Sequence, residues 1–175
     1  MKKWLRLLRY DWPLHFVLLF TEWLPDNVPF LALRGKLASF FLGNCKSGLS
    51  LGRNVVFYNP SSIHLGENVY IAYGCVLLAI GEIFIGDEVM LAPYVVASAG
   101  NHLRSAGTYR FSDVETQPIY IGAGSWIGAH TTILAGAKIG ERSMVASNAA
   151  VPRGEYPDNA LLAGVPARIK KTFAT

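Results

Sequence analysis

From about residue 51 to residue 151 the chain repeats every six residues, and that period limits what it can fold into. Leu65, Ile71 and Leu77 are six apart, as are Ile85, Leu91 and Ala97. The period then runs unbroken through Ile121, Ile127, Ile133, Ile139, Val145 and Val151. Eleven of these twelve positions carry Leu, Ile or Val. Gly or Ala often follows, as at Gly66, Ala72, Gly86, Ala92, Gly122 and Gly128, and four places after each start a small or β-branched residue recurs, as at Val69, Cys75, Ser125 and Thr131. An amphipathic helix spaces its apolar residues three and four apart, and a half-buried strand spaces them two apart. A period of six fits neither. It fits a triangular coil in which each hexad is one flat side and one turn, with the aliphatic residue pointing into the prism and the small residue near the corner. Three hexads close one coil, and coils stack through parallel backbone hydrogen bonds.

Interruptions to the period mark where the coil is decorated. Two-residue steps separate Ile63 from Leu65 and Ile83 from Ile85, and His64 between the first pair should face outward. Between residues 98 and 118 the repeat is lost, in a polar excursion holding Asn101, His102, Arg104, Tyr109, Arg110, Asp113 and Glu115. A long loop leaving a regular scaffold commonly carries function. The organisation expected is an apolar, basic helical segment over 1–43, a β-helix of about five coils over 44–157 with its loop at 98–118, and a tail over 158–175.

Residues 1–43 differ from the rest. They hold three of the four tryptophans (Trp4, Trp12, Trp23) and six bases against three acids, while the remaining chain carries ten bases and nine acids. Charge and proline at Asp11, Pro13, Glu22 and Pro25 leave no run of about 20 apolar residues for a spanning helix, and no small-residue cleavage site follows Leu14–Phe20. Phe30–Leu42 reads as a second amphipathic helix. Two fates for the segment stay open. Trp4, Leu5, Leu8 and Trp12 form the apolar face of an interfacial helix beside Lys2, Lys3, Arg6 and Arg9, or the segment packs on the body or a sister subunit. The near-neutral body, without a basic stripe, excludes nucleic acid as the expected partner. With 51% apolar and only 16% charged residues the chain is not disordered. Cys45 and Cys75 alone make no disulfide framework, and reduced thiols in the cytoplasm are the default.

The stretches IHLGENVYIAYGCVLL, IFIGDEVMLAPYVVASAGNH, IYIGAGSWIGAHTTILAGAKIGERSMVASNAAV and LLAGVPARI, spanning roughly residues 50–170, resemble the hexapeptide-repeat acyltransferases. The order of Ser125-Trp126-Ile127-Gly128, the loop histidine and Ala163-Gly164-Val165-Pro166-Ala167-Arg168 resembles, more narrowly, the sugar O-acetyltransferase branch with galactoside and maltose acetyltransferases. The resemblance implies a left-handed parallel β-helix, a homotrimer with sites between subunits, acetyl-CoA as co-substrate, no required metal, and a saccharide acceptor.

Acyl transfer to a hydroxyl needs a base at the attacking oxygen, and neutral imidazole, with an unperturbed pKa of about 6.5, suits that task. Of the four histidines, His15 lies in the N-terminal segment, His64 faces outward and His130 sits at a coil corner, while His102 opens the long loop. By resemblance His102 is the general base, with Asn101 beside it, Trp126 flanking the site, and Asp113, Glu115 or a backbone carbonyl orienting the imidazole. By the same resemblance Ala129 and Ser147 meet the pantetheine arm through their backbones, and Arg153 and Arg168 lie near the CoA phosphates, joined by Lys170 or Lys171. One departure bears on the acceptor. Where sugar-specific relatives carry polar residues, Ala72–Ile80 reads AYGCVLLAI. That composition suits a lipid-linked sugar or a growing surface polysaccharide, as in lipopolysaccharide or capsule synthesis, at the inner face of the cytoplasmic membrane. Three other readings stay open: N-acetyl transfer to an amino or nucleotide sugar; a zinc enzyme of the γ-carbonic anhydrase type on His64, His102 and His130; and a non-catalytic β-helix scaffold.

Overall fold

The computed structural model describes residues 3–174 and is a left-handed parallel β-helix preceded by helices. Three parallel sheets form the sides of the prism. Side A stacks Asn44–Cys45, Ile63–Leu65, Ile83–Ile85, Ile119–Ile121, Ala137–Ile139 and Gly154–Tyr156. Side B stacks Ser50–Leu51, Tyr70–Ile71, Met90–Leu91, Trp126–Ile127, Met144–Val145 and Ala160–Ala163. Side C stacks Val56–Tyr58, Val76–Leu78, Val96–Ser98, Thr132–Leu134 and Ala150–Val151. The count is five complete coils and two sides of a sixth. The parallel ladder therefore runs on past residue 157 through Ala160–Ala163, after which Arg168–Thr172 returns antiparallel along that strand.

The hexad explains the core directly. All twelve positions that define the period are at most 3% exposed, and each Leu or Ile withdrawn in this way contributes roughly 1.5–3 kcal/mol. They stack in register: Leu51, Ile71, Leu91, Ile127 and Val145 form one inner row. The two-residue steps place two inward residues on each long side A strand, so that Ile63 and Leu65, like Ile83 and Ile85, are buried about an outward His64 or Phe84. Glycine follows the inward residue at the corner because the next coil passes too close for a side chain. A Cβ on Gly86 would lie 2.6 Å from the Ala123 nitrogen, and one on Gly128 the same distance from that of Ser147. Buried hydroxyls at the corners bond between coils, as when Ser125 donates to the Gly140 carbonyl and accepts from the Ser143 amide. Burial pushes both thiols, Cys45 and the fully buried Cys75, up to about 11, so neither is a reactive thiolate at neutral pH.

A continuous helical rod leads the chain: Lys3–Arg6, a π-helical turn Leu7–Asp11, and Trp12–Thr21. Val28–Ser39 follows as the capping helix, starting two residues before and ending three residues before the Phe30–Leu42 expected from sequence; the Asn27 side chain accepts the Phe30 amide and Pro29 fills the first turn. It lies across the open end of the first coil so tightly that a Cβ on Gly35 would overlap the Leu49 carbonyl. Arg34, fully buried, satisfies the groups left there. Its guanidinium donates to the carbonyls of Leu51 (2.7 Å), Thr21 (3.1 Å) and Leu24 (3.0 Å) and pairs with Asp26 at 3.1 Å. The rod runs along the first coil from Arg6, bonded to Asn59, to Glu22, which accepts the Asn54 amide. No helix among the described residues is long and apolar enough to cross a membrane.

Candidate active site

The excursion at 98–118 is a β-ribbon. Gly100–His102 pairs antiparallel with Val114–Thr116, setting His102 opposite Val114 and Asn101 opposite Glu115. The ribbon leaves the prism at the corner between sides C and A, where the Gln117 amide donates to the Ala99 carbonyl and closes its base. Side chains alternate along such a ribbon, so His102 and Val114 share one face and Asn101 and Glu115 the other. A Cβ on Gly100, on the His102 face, would meet Ile80 and Val114 at 3.2 Å. The imidazole is thus exposed beside two partly exposed aliphatic side chains, Ile80 and Val114. Glu115 points the other way and accepts from the Gln117 amide group at 3.1 Å. The ladder continues through the Leu103 amide to the Asp113 carbonyl, which turns the Asp113 side chain to the Glu115 face as well. Neither carboxylate considered as an orienting partner shares the face of His102.

The remaining sequence-derived residues divide between two corners. Trp126 stands on the outer face of side B, 44% exposed, in register between Met90 and Met144. Ala129 and Ser147 follow at the corner between sides B and C, on successive coils, since Ile127 pairs with Val145. Arg168 belongs to this corner too. The turn before it is tied to side C by the Ala150 amide on the Gly164 carbonyl and the Ala167 amide on the Ala150 carbonyl. Arg153, by contrast, packs against Gly136 at the corner between C and A, in a hollow with Gln117 and Lys138. That is the corner from which the His102 ribbon emerges. Side C separates the two corners by about 15–20 Å, five or six extended residues. One chain therefore groups His102 with Arg153, and Trp126, Ala129 and Ser147 with Arg168, but does not join the groups.

The other histidines are elsewhere. His130 has φ 58° and stacks on Tyr94 at 5.0 Å, at the corner between sides B and C. His64 faces outward on side A, stacked on Phe84 at 4.6 Å, which stacks on Tyr120 at 4.8 Å. His64, His102 and His130 do not converge, and no group of three or more metal-ligating side chains occurs among the described residues. A groove of about 510 Å³ on the outer face of side A is lined by His64, Phe84 and Tyr120 with Asp87, Glu141 and Asp158, and contains none of the residues assigned to acetyl transfer. Sequence reasoning missed this aromatic row. It would have shown up on comparing positions one coil apart, as for Phe84 and Tyr120, rather than six residues apart.

Residues 118–153 match the family described as bacterial transferase hexapeptide (six repeats). The galactoside O-acetyltransferase of Escherichia coli K12 is 33% identical over 115 residues, 66% of this chain and 56% of its own, so the chain spans little more than half of that relative. "Putative lipopolysaccharide biosynthesis O-acetyl transferase WbbJ", also of Escherichia coli K12, is 30% identical over 148 residues, 74% of this chain and 69% of its own. Among solved structures, galactoside acetyltransferase in complex with coenzyme A superposes with a TM-score of 0.81 at 26% identity, covering 95% of this chain and 80% of the other.

Proposed function

The chain belongs to the hexapeptide-repeat transferase family, and from that premise we propose that it transfers acetyl from acetyl-CoA to a saccharide hydroxyl. The observation that carries this reading is the division of the site residues between two corners. In a homotrimer with parallel prism axes, the B/C corner of one copy faces the C/A corner of the next. Trp126, Ala129, Ser147 and Arg168 of one copy then meet His102, Asn101 and Arg153 of its neighbour, and three sites form. The small corners at Ala129 and Ser147 let the thin pantetheine arm lie against the backbone, and both arginines reach the CoA phosphates from opposite walls, with Lys170 or Lys171 nearby.

His102 removes the acceptor hydroxyl proton as its oxygen attacks the thioester carbonyl. The C–O bond forms, the tetrahedral intermediate collapses with loss of the C–S bond, and the imidazolium returns its proton to the departing CoA sulfur. The Trp126 indole walls the cleft, and no step needs a metal. The outer face beside His102 supports a lipid-linked or polymeric saccharide rather than a small soluble sugar. Within Ala72–Ile80 the outward positions along side C and at its end are Val76, Leu78 and the exposed Ile80, with Tyr73 half-buried at the corner before them, and Val56 and Tyr58 extend the row. Such an acceptor belongs to lipopolysaccharide, capsule or exopolysaccharide synthesis on the cytoplasmic side of the membrane.

The test is release of free CoA thiol from acetyl-CoA on adding lipid-linked or polymeric saccharide, with the product analysed for an O-acetyl ester. An amide product would instead indicate N-acetyl transfer. Arg168 supplies a separate check. An exposed cation near phosphate contributes modestly and is screened by salt. Arg168→Ala should therefore weaken CoA binding by about two- to fivefold at low ionic strength, with the difference shrinking at high salt. An unchanged dissociation constant at low salt removes Arg168 from the phosphate site.

A further inference from the structure

The N-terminal rod keeps an apolar face that nothing among the described residues covers. Trp4, Leu8, Trp12, Phe16, Phe20 and Trp23 form one stripe at four-residue spacing with a final step of three, each between 50% and 78% exposed. The opposite side is equally apolar and already packs on the first coil through Leu14, Val17 and Leu18. A helix apolar on all sides is normally buried all round, so the outer stripe calls for an apolar environment.

Charge identifies which one. Asp11, Glu22 and Asp26 are the acids of residues 1–43, and all three turn toward the body. Asp11 lies 3.7 Å from Arg6, Glu22 accepts the Asn54 amide at 2.8 Å, and Asp26 pairs with the buried Arg34 and accepts the Arg53 amide at 3.2 Å. The outward surface is left without an acidic side chain, edged by Arg9, which is exposed while donating to the Phe40 carbonyl at 2.8 Å, and, on the capping helix, by the exposed Lys36. Tryptophan and phenylalanine on an uncharged face with cations at its margins is the composition of a helix lying in the headgroup layer of an anionic bilayer.

We propose that the rod, residues 3–23, docks flat on an anionic membrane surface and holds the β-helix there. The docked rod borders the outer aliphatic row of side C, where Val56 and Tyr58 on the first coil lead to Ile80 beside His102. The docking does not depend on the transfer reading above.

The experiment is sedimentation of the full chain with vesicles rich in phosphatidylglycerol, beside pure phosphatidylcholine vesicles, with acetyl-CoA affinity measured on the same preparation. The wild type should partition into the anionic vesicles preferentially, with a blue shift of tryptophan emission. A Trp4→Ser/Trp12→Ser/Phe16→Ser variant should partition about tenfold or more weakly, with unchanged circular dichroism, assembly mass and acetyl-CoA affinity. The proposal is overturned if the wild type ignores anionic vesicles, if the variant partitions equally, or if the variant elutes as a smaller species, which would make a second copy the true cover. Acetyl-CoA binding that fails while vesicle binding persists counts against the transfer reading alone.

Discussion

Replacing His102 by alanine is expected to lower turnover by about 10²–10⁴-fold, the usual contribution of a positioned base, while acetyl-CoA affinity and assembly mass stay unchanged. The separation of effects follows from geometry. His102 stands on an exposed ribbon outside the coil stack and contributes nothing to the core. The groups proposed to hold the donor lie mostly at the other corner. Steady-state rates at saturating acetyl-CoA, with calorimetry and sedimentation on the same sample, check it. Full activity in the variant would remove His102 as the base. A loss confined to donor affinity would make it a binding residue instead.

Arg34→Met is the second large effect, on stability. The side chain is 0% exposed and makes four polar contacts at one end of the prism. Methionine fills similar space but leaves the Leu51 and Leu24 carbonyls without this donor, the Thr21 carbonyl with the Leu24 amide alone, and Asp26 with Arg53 alone. Asp26 keeps Arg53 and part of its solvent contact, so the cost is mainly that of buried carbonyls left without a donor, about 1–3 kcal/mol for each such group, and about 2–4 kcal/mol is expected in all. Denaturant unfolding measures it, and hydrogen exchange should show the first coil opening before the later ones. A loss below about 1 kcal/mol would mean that the capping helix holds the coil by apolar contact alone. Arg34→Lys keeps the charge without the planar fork and should fall between the two.

Much of the architecture was legible because the repeat is local. An aliphatic residue every six, a small residue after it and a polar interruption at 98–118 are all visible in the chain itself, and each maps onto a side, a corner or the ribbon. The rest depends on what stacks above and below. Arg34 enters the sequence reading only as one of six bases in an apolar segment, yet it is fully buried, because the Leu51 carbonyl of the first coil and the Thr21 and Leu24 carbonyls at the end of the rod converge on it, which no local pattern reveals. The grouping of His102 with Arg153 and of Trp126 with Arg168 required knowing at which corner each residue falls. The insertion after Ser98 and the shorter later coils make that count unreadable from spacing alone. The turning of Asp113 and Glu115 away from His102 follows from ribbon register, which sequence did not supply. The outward apolar stripe of the rod was read from sequence only as far as Trp12; its continuation through Phe16, Phe20 and Trp23 was not, because both faces of the rod are apolar and the segment has little amphipathic contrast.

Acetyl-CoA binding to the purified, folded assembly, followed by calorimetry, tests the central claim most directly. Saturable binding at about one site per chain is the expected result, because the trimer proposed above would form three clefts for three copies. A folded assembly that takes up no acetyl-CoA would contradict the acetyltransferase assignment and leave the β-helix as a scaffold.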